Sequence, residues 1–524
     1  MKRRKTACPS CGAPLEFTVG SMVSVCDFCQ SAVARTDRKV EDIGKIAELV
    51  QTPSRLRCGL SGTFNKKNFT VVGRVQYQHP AGGVWDEWYL AFPGGRWGWL
   101  AEAQGKTYLM FQRKLTSKVN VPGFDQLDLG QVVKLGDSEF SVSERGVATA
   151  LAAEGDIPWA FRGGADHQFV DLQGENGVFA TFEYGASTNA YVGKEISLDS
   201  LSLEGDGWDA VDAQIVTAAV SLNCPKCGGA LTLHAPDAAL RVTCPNCNSM
   251  LAADNGKLRY LQTLSKPKKL KLQLKLGTEG KLFGDDYTVI GFLGRFAMYG
   301  GVSYPWQEYL LYSEKNGFRW LVYNDRHWAF ASPASGAALK NSGTSFKIDG
   351  ASDKIDYDGS QFRIYDRGVA TVKHVLGEFY WKVQKGEKVR TADYIAPPRM
   401  LSYEWSDTEK SNEVNVSECV YLPPETVEEG FGVKDLPRSF TVGPIQPGPS
   451  FDKRLFFAWP LLSILMLALY LAFARAGVSQ GADPWLCFYG LVAIAALPLG
   501  ILAYLHSFER KRWEDSDYSP YATE

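Results

Sequence analysis

The feature that most constrains this chain is that it contains itself twice. Cys8-Pro9-Ser10-Cys11-Gly12 returns as Cys224-Pro225-Lys226-Cys227-Gly228, and Cys26-Asp27-Phe28-Cys29 as Cys244-Pro245-Asn246-Cys247, at offsets of 216 to 218. Further on, Phe69-Thr70-Val71-Val72-Gly73 matches Tyr287-Thr288-Val289-Ile290-Gly291. Gly73 and Arg74 also align with Gly294 and Arg295 if the second copy carries a short insertion. Trp85-Asp86-Glu87-Trp88 matches Trp306-Gln307-Glu308-Tyr309, Glu144-Arg145-Gly146-Val147-Ala148-Thr149 matches Asp366-Arg367-Gly368-Val369-Ala370-Thr371, and Phe182-Glu183-Tyr184 matches Tyr403-Glu404-Trp405. Order and spacing both persist, so one unit has been duplicated, and whatever it folds into is built twice.

Each unit opens with two C-x-x-C turns, separated by fourteen residues in the first copy and sixteen in the second. That spacing fits a four-thiolate zinc ribbon, with Cys8, Cys11, Cys26 and Cys29 on one ion and Cys224, Cys227, Cys244 and Cys247 on another. Gly12, Gly228 and Asn248 tolerate the positive φ that a zinc knuckle needs; Gln30 is the residue least suited to it. A closed four-cysteine site leaves no position for substrate, so both Zn2+ ions are expected to be structural. Redox-active pairs are the alternative reading.

The remainder of each unit is a series of short runs rich in β-branched and aromatic residues, separated by Gly, Pro and Asn-Gly turns. The expected fold class is mainly β: two zinc ribbons and two barrel- or sandwich-like β-domains in tandem, followed by a two-helix transmembrane hairpin. The expected boundaries are ribbon 1 at 1–35, a connector helix at 36–53 capped by Thr36 or Asp37, β-domain 1 at 54–205, a linker at 206–220, ribbon 2 at 221–255 and β-domain 2 at 256–425. A Pro/Gly-rich tether follows at 426–453, then membrane helices at 455–474 and 485–505 within 454–508, and a cytoplasmic tail at 509–524. Leu270 to Leu276 alternates leucine with polar residues, as a strand with its leucines inward would, and with Lys266, Lys268 and Lys269 it makes a basic patch.

The W-x-E-W/Y, E/D-R-G-V-A-T and F/Y-E-Y/W blocks, each following a ribbon, resemble the bacterial domain of unknown function 4178, over roughly Ser54 to Leu203 and Lys266 to Leu422. The resemblance implies a β-rich domain, often encoded near polyamine-synthase-like and envelope-stress membrane proteins, and no established activity.

Read physically, strand alternation puts Trp85 with Glu87 on one face and Trp306 with Glu308 on the equivalent one. One reading is a groove in which Glu87 or Glu308 meets a cation beside an aromatic wall. The other is a core tryptophan with its glutamate paired to Arg145 or Arg367. Glu183 and Glu404 complete the set of repeated candidate ligand-binding residues. Gly146 and Gly368 are expected to serve a bulge or turn.

The two C-terminal segments hold twenty and twenty-one residues without a charge, enough to cross a bilayer as helices. Lys453 and Arg454 precede the first and Arg510, Lys511 and Arg512 follow the second, whereas the connection carries only Arg475. The positive-inside rule then gives a multi-pass protein of the inner (cytoplasmic) membrane with both termini in the cytoplasm. The basic Met1–Lys5 start has no apolar stretch behind it, so it does not read as a secretory signal.

A net charge of −2 supplies no global pull on polyanions. Neither ribbon has the basic-aromatic stripe that stacks bases, so nucleic acid is the alternative partner and not the leading one. The six histidines do not recur between copies, and no Walker, nucleophile-elbow or H-E-x-x-H motif occurs. An enzyme using repeated Glu and Arg is therefore the third reading. The leading one is a non-catalytic, membrane-anchored adaptor that recruits a protein or a small cationic ligand.

Overall fold

The computed structural model describes residues 4–521 except 19–20, 36–39, 46–48, 50–53, 80–83, 104–105, 116–120, 160, 175–176, 186, 206–207, 209–219, 236–238, 255–256, 265–269, 314, 335–352, 408–410, 450–452 and 478–483. At the edges of those gaps and at many positions of the C-terminal helices only the backbone is described. The linker apart from Trp208 and Val220, the lysines at 266, 268 and 269 and the connector's proposed cap fall outside the described residues.

Each unit closes into an eight-stranded antiparallel barrel. In the first, Lys67–Gln78, Val84–Phe92, Arg96–Ala103 and Lys106–Arg113 pair in order. The last of these pairs with Asn189–Ile196, and the circuit returns through Val178–Tyr184, Asp166–Gln173 and Ser138–Ile157 to Lys67–Gln78. The second barrel repeats this circuit with Asp285–Tyr299, Val302–Ser313, Gly317–Asn324, His327–Pro333, Ser411–Leu422, Arg399–Asp407, Lys388–Ala396 and Ser360–Phe379. Of the two architectures expected, the barrel is the one formed. Eight strands leave an interior that side chains fill or that holds one small ligand.

The long strands Ser138–Ile157 and Ser360–Phe379 outrun their barrels and carry the ribbons. Asp156 and Ile157 pair with Ser24 and Val23, and Gly377 to Phe379 pair with Thr243 to Arg241. A carboxylate fastens each joint. Asp156 accepts from the Thr18 amide at 2.7 Å, and Glu378, its counterpart, accepts from the His234 and Ala235 amides at 2.8 and 2.9 Å. The strands cross so closely here that a Cβ on Gly155 or Gly377 would lie 2.2 Å from a carbonyl oxygen, and both glycines hold positive φ.

Several expectations need correction. The connector is not helical where it is described: Val40–Lys45 is a strand on Ser31–Arg35. The ribbon's open edge supplies hydrogen-bond partners that override helical periodicity. Leu270 to Leu276 keeps its leucines packed toward the second barrel's core but forms no ladder; it is an irregular segment anchored by the Gln273 amide on the Tyr309 hydroxyl at 2.8 Å.

The tether is neither loose nor unstructured. It begins with a helix, Pro424–Phe431, and Leu436 and Ile445 are buried against the second barrel. The tail packs back as well: Trp513 is buried beside Ile445, and Arg512, 1% exposed, donates to the Gly443 and Pro444 carbonyls at 3.2 and 2.9 Å.

Two C-terminal helices, Lys453–Gly477 and Pro484–Arg512, pack on each other. Among the described residues no helix is long and apolar enough to cross a membrane; the side chains at 453–458 and at many positions of the second helix lie outside those residues. Where side chains are described, the surface is greasy: Leu461, Leu462, Ile464, Leu465, Leu471 and Val492 are each about half exposed or more.

Candidate functional site

Both ribbons bring their four sulfurs together. Cys8–Cys29 and Cys11–Cys26 lie 3.7 Å apart, and Cys224–Cys247 and Cys227–Cys244 3.8 Å apart. A tetrahedron with Zn–S of about 2.3 Å has edges of about 3.8 Å, so the sulfurs already stand at the corners of a zinc site. A disulfide would need about 2.05 Å. The turns that aim them are the expected knuckles: Gly12, Gln30, Gly228 and Asn248 all have positive φ and each donates its amide to the carbonyl of the knuckle's first cysteine at 2.8 Å. Gln30 adopts the conformation despite its Cβ. Ser31 and Ser249 hydrogen-bond to Cys29 and Cys247 and draw both thiols down to about 6, the direction that thiolate ligation requires. The donor set and geometry fit Zn2+; closed by four protein ligands, such an ion would hold the fold and offer nothing to a substrate.

The repeated Trp, Glu and Glu residues converge inside the barrels, with a difference between the copies. In the first, Trp85 and Glu87 point inward, as alternation requires, into an interior with Tyr77, Tyr89, Trp99, Phe169 and Tyr191. Trp85 stacks on Tyr77 with centroids 5.2 Å apart. Glu87 accepts from the Tyr89 hydroxyl at 3.2 Å and faces the Trp85 indole at 3.5 Å, and Trp159 donates to Tyr89 at 2.8 Å. Glu183 approaches from the opposite side, 3.7 Å from His167, and hydrogen-bonds to Tyr191. Burial pushes the Glu87 carboxyl up to about 7 and, together with Glu87, raises Glu183 well above the usual range. Burial also lowers His167 to about 4, so that ring is neutral and supplies no cation. The Tyr77 hydroxyl, fully buried, has no hydrogen-bond partner among the described residues.

The second barrel contains its own cation. Arg295 is 6% exposed; its guanidinium donates to both Glu308 oxygens at 3.1 and 3.2 Å and to Glu404 at 2.6 and 3.4 Å, 5.9 Å from the Trp306 ring centroid. Burial opposes its charge, and the two carboxylates outweigh that and hold it protonated. Register fixes the equivalence. Arg295 pairs with Trp306 where Tyr77 pairs with Trp85, and Gly291 meets Gly377 where Gly73 meets Gly155. Arg74 is therefore not the counterpart of Arg295. It faces the other way, making a two-point ion pair with Asp86 at 2.8 and 2.9 Å over Trp88.

Neither Arg145 nor Arg367 joins the glutamates. Arg145 lies over Phe124, and Arg367 over Tyr518 with Asp353 3.9 Å away, because both point to the barrel exterior. The bulge expected at Gly146 and Gly368 falls just before them, between Val142 and Glu144 and between Ile364 and Asp366. Sequence reasoning missed Tyr77 and Arg295, whose only signal was the ambiguous gap in the repeat alignment.

No curated protein and no solved structure matches the chain. The family described as domain of unknown function (DUF4178) matches residues 57–198 and 275–424, one barrel in each segment and together more than half the length. The chain belongs to the DUF4178 family, as a tandem of two copies.

Proposed function

We propose that this protein is a membrane-anchored, cytoplasm-facing binding protein that captures a cationic group, a primary ammonium or a guanidinium, inside its first barrel, with the second barrel as its internally satisfied partner. The observation that carries this reading is the exchange of Arg295 for Tyr77 between two otherwise equivalent interiors. In the second, an arginine neutralises Glu308 and Glu404 beside Trp306. In the first, Glu87 sits beside Trp85 and acts across the interior on Glu183, with no positive side chain among the groups acting on either. A ligand cation at that place would use the same contacts, two carboxylates and an indole face. Glu183 and His167 retain 19% and 18% side-chain exposure, which supports entry from that end.

The ligand is small or the tip of a larger one. A polyamine and a Lys- or Arg-bearing protein segment both present such a group. Anchoring rests on the paired C-terminal helices with their exposed apolar surface and on the basic residues flanking them, which favour both ends on the cytoplasmic side. The two ribbons, loaded with zinc, would stiffen the C-terminal end of each long strand.

Calorimetric titration of the full-length, detergent-solubilised protein with agmatine, which carries both a guanidinium and a primary ammonium, and with spermidine tests the reading. Binding of at least one, weakened more than tenfold (about 1.4 kcal/mol) by Glu87→Gln and by Glu183→Gln, is the expected result. No binding of either, or equal affinity in both variants, contradicts it.

A further inference from the structure

We propose that His79, Glu144 and Glu413 form a divalent-metal site at the seam where the two barrels join. The seam is a short antiparallel pairing between Ser138–Ile157 of the first barrel and Ser411–Leu422 of the second, in which Glu144 stands opposite Glu413, Arg145 opposite Asn412 and Gly146 opposite Ser411. Two glutamates directly opposed across strands repel, so this contact carries a built-in cost unless a positive charge lies between them. His79 enters at that point from the end of Lys67–Gln78, its Nε2 2.5 Å from Glu144. The ligand atoms of all three residues lie within 4.8 Å of one another. Metal–nitrogen and metal–oxygen bonds of about 2.1 Å put adjacent ligands about 3.0–3.4 Å apart, so the three ligand atoms stand within about 2 Å of coordination spacing.

The surroundings favour a cation over a mere hydrogen bond. Asp171, opposite Glu144 on the next strand, is the third acid of the cluster; burial and then Glu144 raise its carboxyl, while Thr181 and His79 oppose. The charged groups acting on Glu413 are Glu144 and His79. Three carboxylates thus gather around one imidazole. One nitrogen and two or three carboxylate oxygens suit Mn2+, Fe2+, Co2+ or Zn2+, whereas the ribbons' thiolates select zinc over a hard ion such as Mn2+. The site is not duplicated: Asp366, the counterpart of Glu144, accepts from the Tyr299 hydroxyl. Because His79 and Glu144 come from one copy and Glu413 from the other, the ion would clamp the barrels together.

The probe is Mn2+, which has little affinity for four-thiolate sites. Zinc-loaded full-length protein titrated with Mn2+ and followed by the electron paramagnetic resonance of the free ion is expected to bind one Mn2+ per chain. His79→Gln and Glu413→Gln, one in each repeat, are each expected to weaken it more than about 100-fold, beyond the ~10–100-fold typical of outer-shell changes. Retention of two zinc ions per chain in each variant checks that it has folded. Absence of Mn2+ binding in the wild type, with Co2+ and extra Zn2+ also failing to bind beyond the two ribbon ions, overturns the proposal. So does unchanged Mn2+ affinity in a variant that keeps its zinc.

Discussion

Tyr77 and Arg295 occupy the same place in the two barrels, each paired across its hairpin with a tryptophan, Trp85 or Trp306. The duplicated interiors thus differ by one cation, and the second cannot lose it cheaply. Arg295→Met leaves Glu308 and Glu404 facing each other without a counter-charge, and breaking a buried ion cluster from one side costs about 3–5 kcal/mol. Thermal unfolding of the full-length protein should show this loss, with Arg295→Lys in between.

Carboxyls raised by burial make stability fall with pH in the range that most proteins tolerate. Glu102, which accepts from Ser54 and from the Trp88 indole, is pushed up to about 7, as is Glu378. A group whose folded value lies above its unfolded value of about 4.5 holds its proton more tightly in the fold. Its stabilising contribution is complete below about 4.5, declines as pH rises to about 7 and is flat above. Glu102→Gln should flatten that decline in denaturant titrations between pH 5 and 7 while leaving the slope above 7 unchanged.

Two zinc ions per chain are expected by elemental analysis. Cys224→Ser with Cys244→Ser should reduce this to one, and since binding energy of ~10–16 kcal/mol in so small a module is folding energy, the second ribbon should become protease-sensitive. The Glu378 clamp on His234 and Ala235 would then have nothing to hold.

Membrane fractions washed with alkaline carbonate should retain the chain. An arginine near a helix centre costs about 2.5–3.5 kcal/mol on insertion scales, so Leu465→Arg combined with Val492→Arg should release it. Release of the wild type would remove the anchor.

Much of this architecture was legible because duplication and metal spacing are local, countable signals. The four-cysteine sets and the inward Trp85-Glu87 and Trp306-Glu308 faces follow from spacing or from period-two alternation. What was not legible depended on partners distant in sequence. Val40–Lys45 reads as one face of a helix until the free edge of Ser31–Arg35 is seen beside it. Leu436, Ile445 and Trp513 read as tether and tail until the second barrel's surface covers them. The reading that pairs Glu308 with Arg367 fails because nothing in the sequence marks which arginine faces the interior, and only the cross-strand register separates the inward Arg295 from the outward Arg367.

Counting bound cations decides whether the first interior is a binding site. Equilibrium dialysis of radiolabelled agmatine or spermidine against full-length wild type and Tyr77→Arg, at pH 8 so that Glu87 is ionised, should give one bound ligand per chain and none, because the new arginine would occupy the first interior as Arg295 occupies the second. Two ligands per wild-type chain, or binding that survives Tyr77→Arg intact, would contradict the account.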